Sequence, residues 1–394
     1  MGRFRDALAR PGLQAIAEVK RRSPSAGDLR VDADPARLAR AFAVAGAAAI
    51  SVLVDERFGG SIADLRAARA TTRAPLLGKG FFSEEEQIRE LAKAGADAVL
   101  LILRDLSDPQ VRNLREFAEV LGLDTLVEAH NAEELERAIT LGADPIGINC
   151  RDLSSFAIDR RTQLELVSGA PRDRVIVAES GIWSRAQAAA AELAGAGAVL
   201  VGSALMRAPD PAAKLEELIS RPLVKVCGLT CGEDVEVAAA AGVDMAGFVL
   251  AAESPRRAPG VLDVPETMLS VAVFVGERQE TNADLVQLYA REDGHRARDG
   301  VLYRDDKAVA DVLDLPWQST DADHLKRAAA ASRKRRVMLA GGLDPENVAE
   351  AIERVRPWAV DASSSLETAP GLKNHRRVRE FVRAVALASG SRSK

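Results

Sequence analysis

The stretch IAEVKRRSPSAG, residues 16–27, sets an acid, a base and a hydroxyl at the end of a short apolar run. In a β-strand, residues two apart point to the same side. Glu18 and Lys20 therefore share a face, and Ser23, just beyond, is placed to reach an anion such as phosphate. The competing reading is an exposed strand end carrying solvated charges. Similar ends recur through the first half of the chain, where apolar runs finish at Lys79, Glu128, Asn149 and Glu179. Ammonium groups and carboxylates converging on one cavity suit acid–base work on a small phosphorylated molecule. The alternative is that strand ends are more polar than strand middles in any protein. Two glycine-bearing turns, Glu179-Ser180-Gly181 and Val201-Gly202-Ser203, let backbone N–H groups approach a phosphate closely.

What must position these residues is a set of parallel strands. Apolar runs of strand length alternate with stretches whose apolar residues recur every three or four positions, the mark of β/α units. Eight strands are expected in the first half, over residues 15–20, 48–54, 75–79, 98–103, 124–128, 145–149, 175–179 and 198–202, with helices over 35–45, 84–94 and 132–141 among the connections. Eight strands close a barrel, whose functional groups gather at the carboxyl ends of the strands. An open doubly wound sheet is the rival, but it places G-x-G-x-x-G after its first strand, where this chain has SPSAG.

A second series starts after Arg221-Pro222, a join too short for a flexible linker. Strands are expected at 223–227, 244–250, 270–275, 285–288, 300–304, 309–313, 337–340 and 358–361. The fold class is thus α/β, two tandem (β/α)8 TIM barrels over residues 1–220 and 223–394. The second is shortened and irregular around its fourth to sixth units, where DGVLYRDDKAVADVLDLP leaves room for a hairpin rather than a helix.

At 394 residues the chain exceeds the size at which one core stops growing. A net charge of −5 lacks the basic excess that gives general affinity for nucleic acid, so anionic ligands must be held locally. Cys150, Cys227 and Cys231 fit a reducing cytoplasm better than a disulfide framework, and no second Cys or His pair follows at metal-ligand spacing. No apolar run is long enough to span a bilayer, and the N-terminus lacks a signal-peptide core. The expectation is a cytoplasmic, monomeric enzyme without metal or cofactor, and without a nucleic-acid or membrane partner.

The strings AEVKRRSPSAG, SVLVDERFGGS, KGFF, LVEAH, INCRDL, VAESGI and VLVGSALM resemble indole-3-glycerol phosphate synthase, in order and over nearly all of residues 1–220. From residue 223, KVCGLT, GFVL with SPRR, VAVFV, LVQL, AGGLDPENV and VDASSSLETAPGLK resemble phosphoribosylanthranilate isomerase. The resemblance implies two consecutive steps of tryptophan biosynthesis. In the synthase half it makes Lys79 the general acid on the substrate carbonyl. Lys20 holds the substrate carboxylate and orients Lys79, and Glu128 transfers protons during dehydration. Glu18, Phe81, Asn149, Arg151, Glu179 and Ser180 line the pocket, while Ser23, Gly181, Gly202 and Ser203 take the phosphate. The family's N-terminal extension is mostly absent before Phe4, so weaker closure over the substrate is expected. Gly80 and Cys150 stand where the family has aspartate and asparagine.

In the isomerase half the resemblance makes Cys227 the base, read as an exposed thiol able to ionise. Asp314 is the acid on the ring oxygen, with Asp311 as fallback. Arg256 or Arg257 faces the anthranilate carboxylate, and Gly341, Gly342, Ser364 and Ser365, near Asp361, cradle the phosphate. Here PWQSTDADHL replaces the family's GGTG loop and FDW, Tyr289 replaces a histidine, Ser365 a glycine and Asn374 an aspartate. Three readings stand side by side: a bifunctional enzyme, a synthase with a non-catalytic or altered second barrel, and a phosphate-sugar binding protein without catalysis.

Overall fold

The computed structural model describes residues 2–23, 27–149, 151, 157–315 and 323–390. The chain divides into two compact units, Met1–Trp183 with Ala188–Ile219, and Ser184–Gln187 with Ser220–Lys394.

The first unit is a closed barrel of eight parallel strands: β1 (Gln14–Val19), β2 (Ala49–Leu53), β3 (Leu76–Lys79), β4 (Ala98–Ile102), β5 (Asp124–Ala129), β6 (Ile146–Asn149), β7 (Ile176–Glu179) and β8 (Ala198–Val201). β8 pairs back onto β1, Gln14 opposite Ala198. Strand alternation puts Ile16, Leu77, Leu100, Leu126, Val177 and Leu200 into one cluster inside the barrel, closed at its amino end by Phe4, Ala7 and Leu8 of α1 (Arg3–Leu8). A larger apolar layer lies between strands and outer helices. The helices start where the sequence offers caps: Asp34 accepts from the Ala36 amide at 2.9 Å ahead of α2 (Pro35–Val44), with Pro35 at the first helical position. Two residues beyond Ile16, Leu77, Leu126 and Val177, the same inward rows carry Glu18, Lys79, Glu128 and Glu179. The expected strands are all present, though Lys20 and Gly202 lie one residue past their strand ends.

The second unit is also a closed eight-stranded barrel: β9 (Leu223–Cys227), β10 (Met245–Val249), β11 (Leu269–Val275), β12 (Leu285–Glu292), β13 (His295–Arg304), β14 (Lys307–Asp314), β15 (Val337–Ala340) and β16 (Ala359–Ala362). Its irregularity is larger than a regular β/α plan with one hairpin. β13 runs antiparallel to both β12 and β14, so three strands form a meander. Among the described residues, helices follow only β9, β14, β15 and β16. The meander strands also outrun their apolar cores, because antiparallel pairing continues through Arg291, Glu292, His295 and Arg296 into exposed positions that hydrophobic patterning does not register. Gly300 sits opposite Tyr289, and a Cβ there would come within 2.9 Å of the tyrosine ring, so glycine lets the ring lie flat across the strand.

Candidate functional sites

At the carboxyl end of the first barrel one cavity is lined by Glu18, Lys20, Ser23, Lys79, Phe81, Glu128, Asn149, Arg151, Ser180, Gly181, Gly202 and Ser203. Lys79 is its electrostatic centre. The Nζ is 2.7 Å from Glu179 Oε2, 3.4 Å from Glu18 Oε2 and 3.9 Å from Glu128 Oε2. Lys20 Nζ lies 2.7 Å from Glu18 Oε1, so Glu18 bridges the two ammonium groups and orients both. All three carboxylates are buried. Burial alone disfavours an ammonium ion, but three carboxylates outweigh it, and Lys79 binds its proton more tightly than an ordinary lysine.

The carboxylates divide the remaining protons unequally. Burial works to raise Glu128, yet its hydrogen bond to His130 and the charge of Lys79 win, lowering the carboxyl to about 2. Burial outweighs the attraction of Lys79 and, with the smaller repulsion of Glu128 added, pushes Glu179 up to about 8. Two neighbouring carboxyls whose environments separate them in this way form an acid and a base. His130, quoted in LVEAH but given no role, is the residue that sequence reasoning missed. Its Nε2 is 3.2 Å from Glu128 Oε1 and its Nδ1 3.1 Å from Glu134 Oε2. Asn149 donates to Glu128 Oε1 at 3.2 Å. Arg57 stacks 4.1 Å from the centre of the Phe81 ring, fixing that wall.

The raised Glu179 carboxyl has a measurable consequence. Unfolded, a glutamate titrates near 4.3, roughly; folded, Glu179 titrates at about 8. The folded state therefore holds the extra proton between these values, and this contribution to stability, complete below the lower value, is lost as pH rises to the upper one. His130, also raised, acts in the same direction above its ordinary 6.5. The urea midpoint is expected to fall from pH 5 to pH 8, and Glu179→Gln to flatten that fall to the share of His130 and of Asp314 in the second barrel, itself raised to about 6. An unchanged slope in the variant would refute the assignment.

The turns expected to take phosphate in the first barrel are shaped by their backbone. Ser180 and Gly181 both adopt left-handed φ, 66° and 69°, which is strained for the serine. At Gly202 a Cβ would sit 2.3 Å from Glu18 Oε1 and 2.9 Å from Lys20 Nζ, so only glycine lets this loop pass the ion pair. Ser23 is buried beside it. Residues 24–26, Cys150 and residues 152–156 lie outside the described residues.

The second barrel has its own cavity, which includes Cys227, Arg256, Asp314, Gly341, Gly342, Asp361, Ser364 and Ser365. Lys225, fully buried, places Nζ 2.8 Å from Asp361 Oδ2, and its charge acts on the neighbouring Cys227 thiol. Three expectations are corrected here. Cys227 is not an exposed thiol: it is 8% exposed, and burial pushes it above its ordinary 9.0 despite the opposing pull of Lys225. Arg257 is exposed and outside the cavity lining, whereas Arg256 reaches it with Nε and Nη2 each 2.9 Å from Glu367 Oε2, itself also held by Lys373. Asp311 is no fallback acid, because strand alternation turns it outward to pair with Arg335.

Asp314 does face the cavity, and burial raises it to about 6 against the charge of Arg296, its ion-pair partner. Arg296, Tyr289 and Gln287 were not anticipated as lining residues. Ser363, beside the expected serines, donates to the Cys227 carbonyl at 2.9 Å. Gly341 and Gly342, with φ of 91° and 75°, turn the loop after β15 toward the cavity. The segment replacing the family's GGTG loop falls largely on residues 316–322, outside the described residues. Among the described residues no cluster of metal-ligating side chains forms, and no helix is long and apolar enough to cross a membrane.

The family model described as indole-3-glycerol phosphate synthase matches residues 2–218, and that of N-(5'phosphoribosyl)anthranilate (PRA) isomerase matches residues 318–384. An indole-3-glycerol phosphate synthase of Nocardioides sp. is 52% identical over 201 residues, 51% of this chain and 77% of that protein. A multifunctional tryptophan biosynthesis protein of Phycomyces blakesleeanus is 33% identical over 93% of this chain, which spans 62% of that protein's length. The crystal structure of phosphoribosyl anthranilate isomerase from Thermus thermophilus is 28% identical, covering 42% of this chain and 98% of its own, with a TM-score of 0.34. With a match running from residue 2 to residue 218 and a close relative covered over most of its length, the chain belongs to the indole-3-glycerol phosphate synthase family, joined to a C-terminal part that matches phosphoribosylanthranilate isomerase.

Proposed function

We propose that the chain is a bifunctional enzyme with domains at 1–220 and 223–394, acting as a cytoplasmic monomer on two successive phosphorylated anthranilates. The observation that carries the reading is the Lys79 ammonium held within 4 Å of Glu18, Glu128 and Glu179 at the mouth of the first barrel. In the second barrel Asp314 protonates the ribosyl ring oxygen and the ring opens to an imine. Cys227 then takes the proton from the adjacent carbon to give an enolamine; protonation of the former imine carbon by the thiol and return of the hydroxyl proton to Asp314 leave the aminoketose and restore both groups. In the first barrel Lys79 protonates the ketone oxygen as the aromatic carbon bearing the carboxylate attacks, and carbon dioxide departs. The proton held by Glu179 assists loss of the hydroxyl as water, and Glu128 accepts the proton that completes the indole. The backbone turns at Gly181 and Gly202, with Ser23 and Ser203, hold the phosphate in the first barrel; Gly341, Gly342, Ser364 and Ser365 do so in the second.

A second reading, favoured by the burial that raises Cys227, keeps the synthase and makes the second barrel non-catalytic. Complementation separates the two. The full chain is expected to rescue both synthase-deficient and isomerase-deficient cells. Lys79→Met is expected to lose only the first rescue and Cys227→Ser only the second. Rescue of the synthase defect alone supports the second reading, and rescue of neither overturns both.

A further inference from the structure

His130 lies one position past β5, and both of its ring nitrogens face carboxylate oxygens. Nδ1 is 3.1 Å from Glu134 Oε2, and Nε2 is 3.2 Å from Glu128 Oε1. Glu134 is held in place because it belongs to the start of the helix Ala132–Thr140, whose N-cap is Asn131. Its Oε2 accepts from the His130 backbone amide at 2.8 Å and its Oε1 from Asn131 Nδ2 at 3.0 Å, while its own amide donates to Asn131 Oδ1 at 2.9 Å. The helix dipole favours a carboxylate in this first turn. Glu134 therefore meets the imidazole as an acceptor, and Nδ1 is the nitrogen that donates to it.

A neutral imidazole has one donor and one acceptor nitrogen. With Nδ1 donating to Glu134, a neutral ring would set the Nε2 lone pair against Glu128 Oε1, two acceptors in contact. A proton between them removes the conflict. Lys79, 3.9 Å from Glu128 Oε2, favours the ionised carboxylate and so leaves that proton on the nitrogen. Burial opposes a charged ring, but Glu128 and Glu134 outweigh it, and His130 holds its second proton more tightly than an ordinary histidine. Lys79 on β3 and Glu179 on β7 act on Glu128 rather than on the ring.

We propose that His130, held by Glu134, serves as an imidazolium that keeps Glu128 ionised and makes Oε2 its working oxygen. The inference rests on the reading of Glu128 as the base of the synthase. Oε1 takes the imidazolium and the Asn149 amide at 3.2 Å each, and Oε2 is left toward Lys79. In the last step the C–H bond beside the nitrogen of the ring-closed intermediate breaks toward Oε2, and its electrons form the indole double bond. The proton then passes from Oε2 to the Lys79 amine, which has given its own to the ketone oxygen, so both groups return to their starting charges. Glu179 recovers its proton from solvent, matching the one proton that decarboxylation consumes. His130 gives up no proton in this sequence. It is a positioning residue that sets the charge and the direction of the base.

The test uses the full chain labelled with 15N-histidine, whose four histidines give few enough signals for long-range proton–nitrogen spectra from pH 5 to pH 9. The His130 signal is assigned by its loss in His130→Gln, and the ring is expected to show both nitrogens protonated at neutral pH. Glu134→Gln preserves the helix start, because glutamine serves at the third helical position as glutamate does, but it removes the charge behind the ring. It is expected to lower the His130 titration by about one unit. The kcat for ring closure is expected to fall as the imidazolium loses its proton, and in Glu134→Gln to break at a pH lower by the same amount, with KM unchanged. The break from Glu179, at about 8, stays in place in that variant. His130→Gln is expected to lower kcat about 10- to 100-fold, a part of what a positioned base supplies, and to remove the histidine's break. A ring found neutral at pH 7, or a kinetic break that stays put while the titration moves, overturns the proposal. Parental turnover in Glu128→Gln would overturn the reading of Glu128 as base, and the kinetic half of the proposal with it, while the spectra still decide the charge of the ring.

Discussion

Replacing Lys79 with methionine is expected to lower kcat for indole ring closure by about 10²- to 10⁴-fold, the range supplied by a positioned general acid. The same change is expected to destabilise the first barrel by about 3–5 kcal/mol, since it removes the shared partner of buried carboxylates. Lys79 is 15% exposed at its side chain and touches Glu18, Glu128 and Glu179, so little solvent is available to take its place. Its proton affinity is raised in the folded state. The stability it provides is therefore complete below the ordinary lysine value of about 10.4 and persists throughout the neutral range. In the methionine variant the uncompensated carboxylates take up protons, so the deficit should be smaller at pH 5 than at pH 8. Lys79→Arg separates the two effects. Arginine keeps the charge but does not release a proton, and it is expected to restore much of the stability and little of the turnover. Steady-state assays with urea unfolding at both pH values check this, and an arginine variant with near-parental kcat would remove Lys79 from the role of acid.

The isomerase is expected to show a rate that rises with pH to about 6 and then stays level until the cysteine titrates. On the proposed roles, turnover needs Asp314 protonated and Cys227 ionised together, yet Asp314 titrates at about 6 and Cys227 above 9.0. Between these values each unit of pH loses tenfold of one form and gains tenfold of the other. The competent population is then constant, and on these values at most roughly one part in a thousand in the ligand-free enzyme. Asp314 faces Arg296, Asp361, Lys225 and Asp299, and burial is the largest influence on it. Asp314→Asn should lower kcat/KM by about 10²- to 10⁴-fold and abolish the break near pH 6, because asparagine has no proton to lose. A break that survives in the variant would belong to another group and would take the acid role away from Asp314.

Both predictions concern residues visible at the ends of apolar runs, and the reason is local. Alternation along a strand is set by covalent geometry, so Glu18 and Lys20 were legible as sharing one face, and Lys79, Glu128 and Glu179 as polar ends of apolar runs. The eight strands of the first barrel were readable for the same cause. Of Asp314 and Asp311, three residues apart, only Asp314 lines the cavity, because alternation turns one of the two outward. The meander was anticipated as a hairpin but not in its length, because its outer pairs are polar and stabilised by backbone hydrogen bonds rather than by burial.

What the sequence by itself determined is therefore the order of elements and the side of each strand on which a residue lies. The tertiary structure alone decided the partners and the solvation. Lys225 meets Asp361 136 positions away, Arg296 reaches Asp314 across the meander, and Arg256 rather than Arg257 enters the cavity. Whether Cys227 is wet or dry, and whether Glu179 keeps its proton, depends on charges and apolar groups delivered by seven other strands once the ring closes. Local spacing carries no information about that environment, and the environment sets the protonation states on which the chemistry runs.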